Sequence, residues 1–150
     1  MKIYLASSWR NDLQPGVLAD LRAAGHEAYD FHNPAPGNTG FHWSAIDPAW
    51  QSWDAETYRE ALEHPIAKDG FEHDWNAMLA SDACVLLLPC GRSAHIEAGY
   101  FVGADKLLFI LLAGQNEPEL MYRMALDGAG EICCDVAELL KAIAAAEVAP

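Results

Sequence analysis

The sequence predicts an α/β protein: a single domain holding a doubly wound sheet of about five parallel strands, with helices on both faces. Three observations carry this reading. Short apolar runs bounded by glycine, proline or polar residues alternate with longer segments of helical periodicity, and such alternation implies a parallel sheet covered on both sides. The chain has 150 residues, a length that suits one domain. Its 52% hydrophobic content supplies a core and excludes a disordered chain.

Taken in order, Ile3-Tyr4-Leu5-Ala6 reads as the first strand, and Ser7-Ser8-Trp9-Arg10-Asn11-Asp12 as a polar loop at its carboxyl end. Residues 13–24 read as a helix. Pro15 is tolerated in its first turn, Val17, Leu18 and Leu21 form a stripe, and Gly25 stops it. Residues 26–31 form a second strand, and 33–40, with two prolines and two glycines, a loop. A helix is expected over 47–63 with Asp47 as its cap. Another is expected over 71–80, with Trp75, Met78 and Leu79 facing inward. Ala83-Cys84-Val85-Leu86-Leu87-Leu88, ended by Pro89, is short, apolar and bounded by breakers, so it is a buried strand. A turn and a helix over 93–104 follow, with Glu97 expected in the first helical turn. Residues 106–112 read as a fourth strand, 117–126 as a helix, Ile132-Cys133-Cys134 as a short fifth strand, and 136–146 as a closing helix. Within the 1–150 domain, residues 32–69 make a long insert for a crossover, the kind of segment that serves as a lid or binding loop.

Charge and composition exclude several classes of function. Nine Lys and Arg stand against 22 Asp and Glu, a formal net charge of −13. Such a surface repels phosphate backbones, so no nucleic-acid polymer is expected as a partner. A small anion remains compatible, because one or two local arginines outweigh a distant field. No run of about 18 apolar residues is present, so no membrane span is expected. The opening Met1-Lys2-Ile3-Tyr4-Leu5-Ala6 lacks the layout of a signal peptide, and a cytoplasmic protein is the expectation. Cys84, Cys90, Cys133 and Cys134 fit no zinc spacing and read as reduced thiols. The six histidines show no ligand spacing on one helix face, so no metal is expected. Gly91 and Gly99 make no dinucleotide fingerprint, and no cofactor is expected.

The informative stretch is Gly91-Arg92-Ser93-Ala94-His95-Ile96-Glu97-Ala98-Gly99-Tyr100, directly after the buried strand. A polar turn leaving the carboxyl end of a central strand is where open α/β sheets bind ligands. Glu97 is a candidate nucleophile there, its charged form favoured by the helix dipole. Asp74 stands in an aromatic setting with Phe71 and Trp75 and suits a proton holder. The two come from helices flanking one strand and are expected to meet above its end. Arg10, Arg92 and Ser93 come from loops after neighbouring strands and suit a phosphate. Trp43, Trp50 and Trp53 either wall a base or pack the insert; Trp9 is the better candidate for the base side. His95 is placed to donate to a phosphate or sugar oxygen, and Asp82 reads as a turn residue leading the strand.

With these segments placed, the chain resembles the nucleoside 2-deoxyribosyltransferase family, including its deoxynucleoside 5′-monophosphate N-glycosidase branch. The resemblance rests on Ile3 to Arg10, on Asp74-Trp75-Asn76-Ala77-Met78-Leu79-Ala80-Ser81-Asp82, and on Ile96-Glu97-Ala98-Gly99-Tyr100 with Gly103 and Lys106. It implies a flavodoxin-like (Rossmann-like) fold and attack on the anomeric carbon of a nucleoside or nucleotide. By resemblance Glu97 is the nucleophile, Asp74 holds or protonates the departing base, and Tyr4 orients the glutamate. Ser7, Trp9, Arg10, Gly91, Arg92, Ser93 and Met121 would bind substrate. The resemblance also implies a homodimer or higher homo-oligomer with a shared active site, the segment Glu119-Leu120-Met121 completing it.

Two departures are visible. Glu119 stands where the transferases carry an asparagine, and Cys90-Gly91-Arg92-Ser93 holds no carboxylate where they carry an extra aspartate. Both bear on transfer more than on glycosidic cleavage. The alternatives are an N-glycosidase acting on a dinucleotide such as NAD, and a catalytically silent nucleotide-sensing module.

Overall fold

The structure, a computed structural model, describes residues 1–114 and 117–148. The chain divides into two compact units: Met1–Asp30 with Ala80–Pro150, and Phe31–Leu79.

The first unit holds a sheet of five parallel strands: β1 (Lys2–Ala6), β2 (Glu27–Tyr29), β3 (Ala83–Leu87), β4 (Leu107–Leu111) and β5 (Glu131–Cys133), in the order β2-β1-β3-β4-β5. That order is the flavodoxin-like, doubly wound one. The sequence explains the placement. All five residues of β3 are buried, as a strand covered on both faces requires, whereas β2 is a three-residue edge strand. Register pairs Tyr4 with Cys84 and Ala6 with Leu86.

Side chains alternate across the sheet, so the two faces can be read separately. Ile3, Leu5, Val85 and Leu87 join Val17, Leu18 and Leu21 of α1 (Gln14–Ala23) and Leu139 and Ile143 of α6 (Val136–Glu147) in one core. Tyr4 points the other way, its ring centroid 6.0 Å from that of Phe101 on α4 (Arg92–Gly103). Helices therefore cover both faces. The end of α1 follows from Gly25, whose φ of +91° suits glycine. There the amides of Gly25 and His26 bond back to Arg22 and Leu21. Asp135 caps α6 by accepting from the Glu138 amide at 2.8 Å.

The second unit contains α2 (Ala55–Ala61) and most of α3 (Pro65–Ala80). Its interior is largely aromatic. The Trp43 ring meets Phe41, Trp53 and Tyr58 with centroids at 4.7, 5.6 and 5.7 Å.

Four helix expectations are corrected. The helix over 47–63 is a 3₁₀ turn, Trp50–Ser52, followed by α2. Asp47 does not cap it: its carboxylate takes the Trp53 indole N–H and the Ala49 amide, and Asp54 caps α2 instead. The helix expected from residue 71 starts at Pro65, with Gly70 inside it. A Cβ at Gly70 would meet the Phe41 side chain, so glycine is there for packing. Leu79 is exposed rather than inward, while Met78 is buried. The helix over 117–126 is a 3₁₀ turn, Leu120–Tyr122, and a short α5 (Arg123–Asp127). Finally, α4 begins at Arg92, which moves Glu97 into the second turn.

No helix of the described residues is long and apolar enough to cross a membrane. A close approach before β5 yields a stability test. A Cβ on Gly130 would collide with the Leu108 carbonyl of β4. Gly130→Ala is expected to cost about 3 kcal/mol through overpacking against backbone. Denaturant unfolding measures it, and an unchanged midpoint would contradict the packing described.

Candidate active site

Strand direction of winding reverses between β1 and β3, and ligands of such sheets bind outside the carboxyl ends at that point. Two loops meet there. Ser7 Oγ donates to the Leu87 carbonyl at 3.1 Å, and Asn11 Nδ2 donates to the Pro89 carbonyl at 3.1 Å. Asn11 is buried, and its Oδ1 accepts the Leu13 amide at the start of α1. These bonds hold the Arg10 loop beside the Arg92 loop. The juxtaposition was expected from strand order; the Asn11 bridge was not, although an asparagine just before a helix is a recognisable sign of a local backbone bond.

Arg10, Gly91, Arg92 and Ser93 are all exposed. Among the described residues, neither guanidinium enters an ion pair or hydrogen bond. Pairing with surface acids, the ordinary fate of arginine in so acidic a chain, is thus not what occupies them. Gly91 is the N-cap of α4 and supplies no side-chain cap, so the first amides of this 12-residue helix are served by no capping side chain.

Glu97 is half-buried one turn further on. Its position is visible through its effect on neighbours. Burial, and then the Glu97 charge, push the Cys90 thiol up to about 11. The same two causes, in the same order, push buried Cys84 of β3 well above the ordinary thiol range. The charge of Glu97, on the helix that packs against β3, thus bears on both thiols. Tyr4, paired with Cys84, is on the α4 side of the sheet. It is fully buried, stacked on Tyr29 at 5.3 Å and tilted against Phe101.

His95 is not a free donor aimed at a ligand. Its Nδ1 lies 2.8 Å from the Gly91 carbonyl and its Nε2 lies 2.9 Å from the Tyr122 hydroxyl. Trp9 is exposed in the β1 loop. Met121 is exposed too, on a 3₁₀ turn whose amide bonds to Glu119. Asp82 has a structural task, accepting the Lys2 amide at 2.7 Å. All four cysteines are free thiols.

Asp74 belongs to the second unit, where it is half-buried on α3. It lines a cavity of 280 Å³ with Phe31, Phe41, His42, Asp69 and His73. Trp43, Trp50 and Trp53 are absent from that wall. Trp43 and Trp53 pack against each other instead, so the flat apolar surfaces available to a heterocycle here come from the two phenylalanines.

Fold and bridged loops together define a flavodoxin-like α/β protein whose Arg10 and Arg92 loops meet at the β1–β3 reversal. No protein-family model and no curated protein matches the sequence. Solved structures match its fold. A 2-deoxyribosyltransferase of Bacillus psychrosaccharolyticus aligns with a TM-score of 0.60 at 16% identity, over 93% of this chain and 90% of that one. A CMP N-glycosidase of Clostridium botulinum aligns at 0.53 and 15%, over 96% and 99%. A conserved protein of Enterococcus faecalis aligns at 0.62 and 15%, over 97% and 98%.

The Glu97–Cys90 proximity is testable by alkylation followed through peptide mass mapping. With its pKa raised to about 11, Cys90 holds roughly two-hundredfold less thiolate at pH 8 than an ordinary thiol near 8.5. Its labelling rate should climb about tenfold per pH unit up to that value. Glu97→Gln removes the charge that opposes thiolate formation, so Cys90 should label faster in that variant. An unchanged rate would place Glu97 elsewhere.

Proposed function

We propose that this protein cleaves the N-glycosidic bond of a nucleoside 5′-monophosphate through a glutamate nucleophile. The single observation that carries the substrate class is the pair of unengaged guanidiniums, Arg10 and Arg92, on two bridged loops beside the uncapped start of α4. Arginine forks and helix-start amides are the groups that hold a phosphate. The Ser93 hydroxyl adds a donor. The likeness in fold to a protein named as a CMP N-glycosidase supports the same substrate class.

The chemistry then follows from the carboxylates. Glu97 attacks C1′ of the pentose and forms a glycosyl ester, while the C1′–N bond breaks and its electron pair leaves with the base. Asp74 gives the base its proton; its resemblance-assigned role fits its half-buried place in an aromatic-walled cavity. Tyr4 orients the nucleophile. Water then attacks C1′ of the ester, Asp74 recovers a proton, and Glu97 is released as carboxylate. A free base in place of water would give transfer. The absence of a carboxylate across Cys90-Gly91-Arg92-Ser93 favours water.

The finer readings belong to the same proposal. Residues 32–69 act as the lid on the base side of a nucleoside deoxyribosyltransferase-like domain spanning 1–150. A homo-oligomer shares active sites, with Met121 contacting substrate alongside Ser7, Trp9 and Gly91. The protein works in the cytoplasm.

Base release from nucleotides and from the matching nucleosides, followed by chromatography, tests the proposal. Glu97→Gln should lower kcat/KM by about 10³-fold or more while nucleotide binding stays within a few-fold. Arg10→Ala and Arg92→Ala should each raise KM for nucleotides about tenfold or more, the scale of a charge-assisted hydrogen bond, and leave nucleosides unaffected. Equal cleavage of nucleotide and nucleoside by the unaltered protein would remove the phosphate claim. Turnover that survives Glu97→Gln would remove the nucleophile.

A further inference from the structure

The bonds of His95 fix more than its own ring. The Gly91 carbonyl can only accept, so the hydrogen between it and Nδ1, 2.8 Å apart, sits on the imidazole. In the neutral ring Nε2 is then an acceptor, and the Tyr122 hydroxyl donates to it across 2.9 Å. Burial, then the nearby Cys90 and Glu119, push the Tyr122 phenol up, which keeps its proton in place as a donor. The two rings lie nearly parallel, 16° apart. The result is a continuous chain: Tyr122 O–H to His95 Nε2, then His95 Nδ1–H to the Gly91 carbonyl.

The far end of that chain is a peptide plane. The Gly91 carbonyl and the Arg92 N–H belong to one planar, trans peptide unit and point in opposite directions. Gripping the oxygen therefore aims the nitrogen. As the N-cap residue, Gly91 also gives its carbonyl to the first backbone bond of α4, from the His95 amide, so the ring of His95 adds a second bond to the same oxygen. A hydrogen bond on the carbonyl also polarises the peptide and makes the Arg92 amide a stronger donor.

We infer that His95, held by Tyr122, is a positioning residue that orients and polarises the Gly91–Arg92 peptide for the 5′-phosphate of the substrate. It touches neither phosphate nor sugar. The inference rests on the phosphate reading given above. Its second consequence is that the turn bearing Met121 is fastened to the start of the nucleophile helix, since Tyr122 is the next residue along. Two sequence segments 27 residues apart are thereby coupled at the crevice.

The test measures binding of a nucleoside 5′-monophosphate and of the matching nucleoside by calorimetry, in the full chain. His95→Ala should weaken the nucleotide roughly tenfold, the scale of a hydrogen bond to a charged group, and leave the nucleoside within twofold. His95→Asn carries an N–H at the place of Nδ1 and should restore most of the loss. His95→Gln carries its amide at the place of Nε2 and should not. Tyr122→Phe should show a smaller loss with the same selectivity. Arg92→Ala separates the two claims. If it weakens the nucleotide selectively while His95→Ala does not, the positioning role falls and the phosphate site stands. If Arg92→Ala has no selective effect, both fall. Equal weakening of nucleotide and nucleoside by His95→Ala, or no rescue by His95→Asn, would reduce His95 to a structural residue.

Discussion

The parallel pairing of β1 with β3 governs what the crevice can be. It sets Tyr4 against Cys84 and Ala6 against Leu86, and it delivers two loops to one end of the sheet. A slip of one residue would turn Tyr4 toward the core beneath α1 and α6 and bring Leu5 to the α4 face, reversing both. The burial of Ile3, Leu5, Val85 and Leu87 on the opposite side forbids that slip, because each large apolar side chain costs about 1.5–3 kcal/mol to expose. The core on one face thus fixes the chemistry on the other. Asn11 and Ser7 then convert neighbouring loops into a bonded pair, at carbonyls that a parallel sheet leaves open where its strands end.

Electrostatics at this end run against the average of the chain. A net charge of −13 describes the whole surface, but screening confines the influence of exposed acids to about 8 Å at physiological salt. The charged and polar groups at this end are the guanidiniums of Arg10 and Arg92, the amides at the start of α4, Glu97 a turn above them, and Glu119, whose charge reaches Tyr122. The dipole argument for Glu97 does not survive its position: the helix starts at Arg92, and the field of a helix end fades within one turn. What the geometry offers instead is separation. The cationic groups lead the helix, and the carboxylate follows a turn later, its charge bearing on Cys84 and Cys90.

Legibility in the sequence followed the physical origin of each feature. β1, β3, α1 and α6 were readable because burial on one or two faces writes a period or a continuous run into the chain. Gly25 was readable because a positive φ selects glycine. Gly70 was not, since its reason is the Phe41 ring, 29 positions away. The helix over 47–63 failed for a related cause. Asp47 looked like a cap, but the Trp53 indole takes one of its oxygens, and Trp53 itself is extended, so the segment breaks before α2. The site divided in the same way. Arg10, Arg92 and Ser93 were expected at one end of the sheet because strand order places loop residues, and Glu97, on α4, from its place after β3. The double engagement of His95 could not, because it depends on where a loop returns. The aromatic cavity around Asp74 was also hidden: Phe31 and Phe41, not the tryptophans of the insert, line its wall.

The missing carboxylate between Cys90 and Ser93 acquires a physical meaning beside the phosphate reading. An aspartate in that turn, of the sort the resembling transferases carry, would oppose an anion held by the same turn. At ~6 Å and an effective dielectric of about 20, one such pair of unit charges repels by about 3 kcal/mol. This chain has a thiol there, and burial together with Glu97 keeps that thiol protonated and neutral. On the phosphate reading, the turn can then hold a dianion with Arg92 and Ser93 without a carboxylate of its own. The absence of an acid and the presence of Arg92 in this turn act in the same electrostatic direction. A transferase that binds uncharged nucleosides can keep the extra carboxylate at little cost, whereas a turn built around a phosphate cannot.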